Sequence, residues 1–139
     1  MPKRSAKSIA NDRHRVLWCT LDVGSLKINV YLVDRSKFPM MSGNVGYFSA
    51  EANLILIGWD LAHDLAENVL IHELGHTSLY TSGASLGGDK EHSDETEEIL
   101  VNLFCSQMYD TLRRNGMLRF PARPVTPYDR KMVAASSRS

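Results

Sequence analysis

Cysteine is scarce in this chain, with two residues, Cys19 and Cys105, among 139. Two cannot build a disulfide framework, and neither belongs to a C-x-x-C pair, which argues against a cysteine-based zinc site. Both sit in apolar runs and read as small buried side chains of a reducing, cytoplasmic compartment. Long apolar runs are also missing. None reaches the roughly 18 residues that cross a bilayer, which excludes a transmembrane protein. The start MPKRSAKSIANDRHR is basic with no apolar stretch behind it, so no secretory signal is expected. No internal repeat is visible. What is present, 43% hydrophobic and 23% charged residues, is ordinary for one soluble globular domain.

The net charge is zero, but it is unevenly spread. Residues 1–15 and 119–139 each carry a net of +4, and the middle, 16–118, carries −8. The expected organisation is a basic flexible tail over 1–15, a folded domain over 16–118, and a second basic flexible tail over 119–139. Pro121, Pro124, Pro127 and the ending AASSRS favour the last of these. Such ends are usually solvated faces. A weak nucleic-acid contact is the functional alternative, with no interleaved aromatics or recognition motif to support it.

The middle reads as strands followed by helices. Val16–Leu21 is rich in β-formers, and the turn signal Asp22-Val23-Gly24-Ser25 follows it. Lys27–Val33 alternates polar and apolar residues, the pattern of a half-buried strand. A Pro- and Gly-containing loop precedes Tyr47-Phe48 and Asn53–Ile57, which read as a hairpin. Asp64 with Glu67 has capping-box spacing, predicting a helix from Leu65 to about Tyr80. Residues 81–92 contain three glycines and read as a loop. A second helix capped by Ser93 or Asp94 should run to about Arg114 and stop at Asn115-Gly116. The fold class is α+β: a small antiparallel or mixed sheet of about four strands, then two packed helices.

The first helix contains His72-Glu73-Leu74-Gly75-His76. Residues four apart share a helix face, so both imidazoles can reach one metal ion. Glu73, rotated by roughly 100° from His72, can stand beside the metal without binding it. From there it can take a proton from metal-bound water and pass it to a leaving amine. Gly75 keeps the helix thin where another element packs closely. Histidines at this spacing also arise by accident, but a capped helix, an upstream strand and Glu73 together favour a zinc (Zn2+) site.

A catalytic zinc needs a third protein ligand and an open position. Asp94, Glu95, Glu97 and Glu98 are the candidates. Asp94 and Glu95 read as acids favoured at a helix start. Val101, Phe104, Cys105, Met108 and Leu112 form the expected buried stripe. Glu98 and Glu97 both continue it toward the metal, and periodicity does not separate them.

His72-Glu73-x-x-His76 followed by Glu98-Ile99-Leu100-Val101-Asn102-Leu103-Phe104-Cys105 resembles the ImmA/IrrE-type metallopeptidases. Their pattern is H-E-x-x-H, a Gly-containing loop, then E-x-x-A-N-x-F-A, with Val101 and Cys105 here in place of the alanines. The wider class is the gluzincins, and its small stand-alone members, the minigluzincins, are similar in size. The resemblance covers roughly residues 45–108 and implies a minimal zincin-like fold. It implies His72, His76 and Glu98 as zinc ligands, Glu73 as the catalytic base and Asn102 as a residue that steadies a ligand histidine. The implied activity is a zinc-dependent metalloendopeptidase acting on a protein or peptide, with an extended substrate added beside the strand Asn53–Ile57. That strand has four apolar residues in a row, which also favours burial on both faces. The first 40 residues carry none of the pattern, and there is no helix-turn-helix region, so the repressor-cleaving role of some members does not carry over.

His92, Tyr80 and Tyr109 are candidates for stabilising an oxyanion, and His63 reads as a surface residue. Trp18 and Trp59 read as packing, and Met40-Met41 as a loop bordering the cleft. The alternative to an enzyme is a non-catalytic zinc-binding regulatory or interaction module of the same fold. Glu73 argues against it, because such a module needs no general base.

Overall fold

The computed structural model describes residues 13–82 and 90–137. Four strands form one sheet: β1 (Arg15–Val23), β2 (Leu26–Val33), β3 (Gly46–Ser49) and β4 (Leu54–Gly58). Three helices follow: α1 (His63–Thr81), α2 (Lys90–Arg114) and α3 (Pro127–Ser137). The class is α+β with a mixed sheet, as expected from strands preceding helices. No helix among the described residues is long and apolar enough to cross a membrane.

β1 and β2 form an antiparallel hairpin closed by Gly24-Ser25, where Gly24 takes φ +58°. Glycine adopts that conformation without the Cβ penalty that other residues meet. The strand order is β1-β2-β4-β3, with β2 and β4 parallel and β3 and β4 antiparallel. This order corrects one expectation. The strand Asn53–Ile57 lies inside the sheet, not at its edge, and all five residues of β4 are buried. The outer strand beside α1 is β3.

The sheet is covered on both faces. Ile28, Val30 and Leu32 of β2 join Ile55, Ile57 and Trp59 beneath Val69 and Leu70 of α1. Tyr31 and Val33 point the other way, against Met41, Leu54 and Leu56, under the 34–45 segment with its two 3-10 turns. β2 is therefore buried on both sides toward its end, where the alternation predicted a half-buried strand.

α1 begins two residues earlier than expected. Its N-cap is Ala62, which makes no side-chain cap, and Asp64 already lies in the first turn. There its Oδ1 accepts from Arg113 Nη2 at 2.7 Å, while Glu67 accepts from the Tyr109 hydroxyl at 3.1 Å. The acids expected to cap α1 instead tie it to α2. That helix starts at Lys90, before Ser93 and Asp94, and ends as expected. Gly116 (φ +65°) donates to Arg113 O and Met117 donates to Leu112 O, the paired bonds of a Schellman stop.

The C-terminal segment differs most from the reading as a flexible tail. Phe120 stacks on Trp18 and meets Tyr109 edge-on. Trp18 Nε1 donates to Pro121 O at 3.0 Å. Arg123 donates to Leu61 O and Trp59 O at 2.7 and 2.8 Å. Thr126 is fully buried and exchanges hydrogen bonds with Asp129 at the start of α3. The stretch ties β1 and the turn after β4 to α2. At the other end β1 already begins at Arg15, whose guanidinium lies over the Tyr31 ring, and residues 1–12 fall outside the described residues.

Candidate metal centre

α1 and α2 cross where neither side chain nor backbone leaves room. A Cβ on Gly75 would come 2.6 Å from Cys105 Sγ and 3.1 Å from Val101 Cγ1. Glycine here costs helix propensity but lets the two backbones approach. The approach sets Glu97 and Glu98, one turn before Val101, over the histidine face of α1.

His72, His76 and Glu98 come together there, each offering one ligand atom, all within 4.8 Å of one another. The two Nε2 atoms are 3.3 Å apart. Glu98 Oε1 lies 2.8 Å from His72 Nε2, and its Oε2 lies 3.0 Å from His76 Nε2. Two ligand atoms bound at about 2.0–2.1 Å in a tetrahedral arrangement stand roughly 3.3 Å apart, so the spacing suits one small divalent cation.

Glu97 does something different. Its Oε2 lies 2.6 Å from His76 Nδ1. A carboxylate can only accept, so Nδ1 carries a hydrogen in this contact, and in the neutral ring Nε2 is then the nitrogen that offers a lone pair. The carboxylate thus fixes the tautomer that metal binding requires. Two imidazole lone pairs and a carboxylate converging on one point are the donor chemistry of a divalent cation, and they fit it without rearrangement. Of the two adjacent glutamates, geometry makes Glu98 the ligand candidate and Glu97 the histidine's support. The support expected from Asn102 is not found: that residue is exposed.

Glu73 is buried, at 8% exposure, while the ligand candidate Glu98 is half exposed. Burial pushes the Glu73 carboxyl up to about 7; the His76 charge lowers it and the Glu98 charge raises it. β3 presses on it from above. A Cβ on Gly46 would stand 2.5 Å from Val69 Cγ1 and 3.1 Å from Glu73 Oε2, so only glycine lets the strand pass so near.

These groups line a cleft of about 690 Å³ between α1, α2 and β3, walled further by Asn44, Tyr47, Phe48 and Asn68. β3 is paired on one side only among the described residues, to β4. Its other edge offers backbone N–H and C=O groups.

The remaining sequence candidates separate clearly. Tyr109 is spent on Asp64 O and Glu67, which removes it as an oxyanion donor. Tyr80 is half exposed and packs edge-on against Phe48 of the cleft wall. The His92 side chain lies outside the described residues. His63 is exposed, and both tryptophans are core. Met41 is buried beneath the sheet and does not line the cleft. Of the expected inner stripe of α2, Val101 is buried and Cys105 and Leu112 half-buried, with buried Tyr109 completing the row. Phe104 and Met108 face outward. The sequence did not single out Gly46, and it weighed Glu97 as a ligand, not as a support.

Comparison with protein-family models, curated proteins and solved structures finds no match.

Proposed function

We propose that the chain is a zinc-dependent metallopeptidase of the ImmA/IrrE-like, gluzincin type. The observation that carries this reading is the convergence of His72, His76 and Glu98 with a buried fourth acid, Glu73, in one cleft beside an open strand edge. Zinc bound by the triad would supply Lewis acidity that polarises the scissile carbonyl and makes water nucleophilic near neutral pH. The chain's own residues do the rest. His76 is held in its ligating tautomer by Glu97. Glu73, buried beside the triad, accepts the proton of the attacking water and returns it to the leaving amine. β3 pairs with an extended peptide through its free backbone edge, laying the scissile bond across the centre. The half-exposed side of Glu98 leaves the approach open. The two free cysteines agree with a reducing cytoplasmic setting.

The test is Glu73→Gln, which keeps shape and loses the proton acceptor. It should bind metal like the wild type and hydrolyse a peptide library at least about 10²-fold more slowly. Equal hydrolysis by both proteins would remove Glu73 as the base. Metal bound by both and no cleavage by either would favour the non-catalytic zinc-binding module.

A further inference from the structure

The cleft has two unlike ends. Gly46 of β3 passes against Val69 and Glu73 of α1, and Phe48, further along the strand, meets Tyr80. β3 and α1 therefore run the same way along the cleft, and the end they run toward is aromatic. The opposite end, toward the start of α1, is built from small uncharged polar groups. Asn68 stands one turn before His72 on the same face of α1. α2 runs antiparallel to α1, setting Glu97 by His76, Tyr109 by Glu67 and Arg113 by Asp64. That direction brings Ser106, one turn before Tyr109, to the level of Asn68. Asn44 closes the same end from the segment before β3. All three line the cleft, whereas its charged side chains among the described residues, Glu73, Glu97 and Glu98, lie at the metal centre. Asn68 is half-buried, and among the described residues neither its amide nor the Ser106 hydroxyl has a hydrogen-bond partner. An asparagine in a helix interior costs propensity, and here it gains no bond within the described chain in return. The Asn44 amide reaches only Met40 O, at 3.4 Å, which leaves its side-chain oxygen unpaired.

We propose that Asn68 and Ser106 form a subsite for an uncharged hydrogen-bonding side chain of the peptide substrate, on the carboxyl side of the scissile bond. The subsite presupposes the peptidase reading and names what that cleft selects. Direction follows from β3. Antiparallel pairing is the more stable ladder, and a peptide antiparallel to β3 runs from the Phe48 end toward the Asn68 end. Its carboxyl side therefore enters the polar end. Reach follows from the helix. The metal centre lies between His72 and His76, about one and a half turns, or roughly 8 Å, from Asn68. An extended peptide covers that distance in about two to three residues. Chemistry follows from the two groups. A carboxamide and a hydroxyl each donate and accept, so together they satisfy both halves of an Asn or Gln side chain, or the hydroxyl of a Ser or Thr. An apolar side chain would strip water from them and return no hydrogen bond, and a charged one would find no counter-charge at that end.

The test compares the zinc-loaded full chain with Asn68→Leu, Asn68→Asp and Ser106→Ala on peptides randomised to either side of the cut, with the products sequenced. The wild type should favour Asn, Gln, Ser or Thr at the second or third residue on the carboxyl side. The preference in kcat/KM should be about tenfold, the scale of one or two neutral hydrogen bonds. Ser106→Ala should reduce it severalfold. Asn68→Leu should turn it toward apolar residues, and Asn68→Asp toward Lys and Arg. An Asn68 that only supports the helix would, when replaced, slow cleavage of every peptide alike and leave the preference where it was. That result would overturn the proposal, as would a polar preference on the amino side of the cut or none on either side. A wild type that binds zinc and cleaves no peptide would instead overturn the peptidase reading, and the subsite with it.

Discussion

Replacing Gly75 with alanine sets two well-known effects against each other. In a helix interior the change should stabilise by about 1 kcal/mol, because glycine loses more backbone freedom on folding. Here the new Cβ would lie 2.6 Å from Cys105 Sγ and 3.1 Å from Val101 Cγ1. Ordinary carbon contacts need about 3.5–4.0 Å, so the sulfur must swing away or the helices must part by roughly 1 Å. Val101 is β-branched and yields little by rotation. Overpacking of this kind costs about 1–3 kcal/mol, which outweighs the propensity gain and leaves a net loss of about 1 kcal/mol. For a domain of this size that is a fall in Tm of about 4 °C. The same parting moves Glu98 away from His72 and His76, and metal sites tolerate only about 0.2 Å of error in a ligand distance. Metal affinity should fall at least about tenfold. Adding Cys105→Ala makes room for the new methyl group and should restore both stability and affinity, giving a coupling of about 1–2 kcal/mol between the sites. Thermal unfolding with and without chelator, on the two single variants and the double, reads both quantities. Gly75→Ala that is more stable than the wild type, with unchanged metal affinity, would refute the close-approach argument.

Phe120→Ala should cost about 2 kcal/mol in a denaturant titration, because its ring contacts Trp18 and Tyr109; a loss near zero would mean that the strap does not hold the fold. Glu73 keeps its proton to about pH 7 when folded, against an ordinary value of 4.5 in the unfolded chain. Its folded value is raised, so the metal-free protein should lose stability as pH climbs from about 4.5 to 7, and Glu73→Gln should flatten that slope. An unchanged slope in the variant, followed by urea midpoints across this range, would contradict the burial cost assigned to the carboxyl.

Much of the centre was legible because it is local. His72, Glu73, Gly75 and His76 sit on one helix, where spacing alone sets which face each occupies. Glu97 and Glu98 differ by one position on another helix, and both lie near its inward side. Which of them reaches the ligand nitrogens and which reaches Nδ1 depends on how α2 is rotated against α1, a tertiary quantity. The same holds for the sheet. The apolar run of β4 announced burial on both faces, but only the parallel pairing of β2 with β4 makes β3 the open edge. The C-terminal strap escaped notice because its proline-rich, basic composition resembles a tail. Its partners, Trp18, Trp59 and Leu61, lie far back in the sequence. Apolar spacing of 3 and 4 places Phe104 and Met108 in the buried stripe, but that spacing does not distinguish a face packed inside the domain from one left exposed.

A competitive chelator titration of Glu98→Ala and Glu97→Ala beside the wild type tests the centre most directly. Glu98→Ala removes a ligand and leaves two imidazoles, so zinc affinity should fall by several orders of magnitude. Glu97→Ala removes the hydrogen-bond acceptor at His76 Nδ1 and should cost about 10–100-fold, an intermediate loss. Wild-type affinity in Glu98→Ala, or a greater loss in Glu97→Ala, would contradict the assignment of His72, His76 and Glu98 as the metal-binding triad.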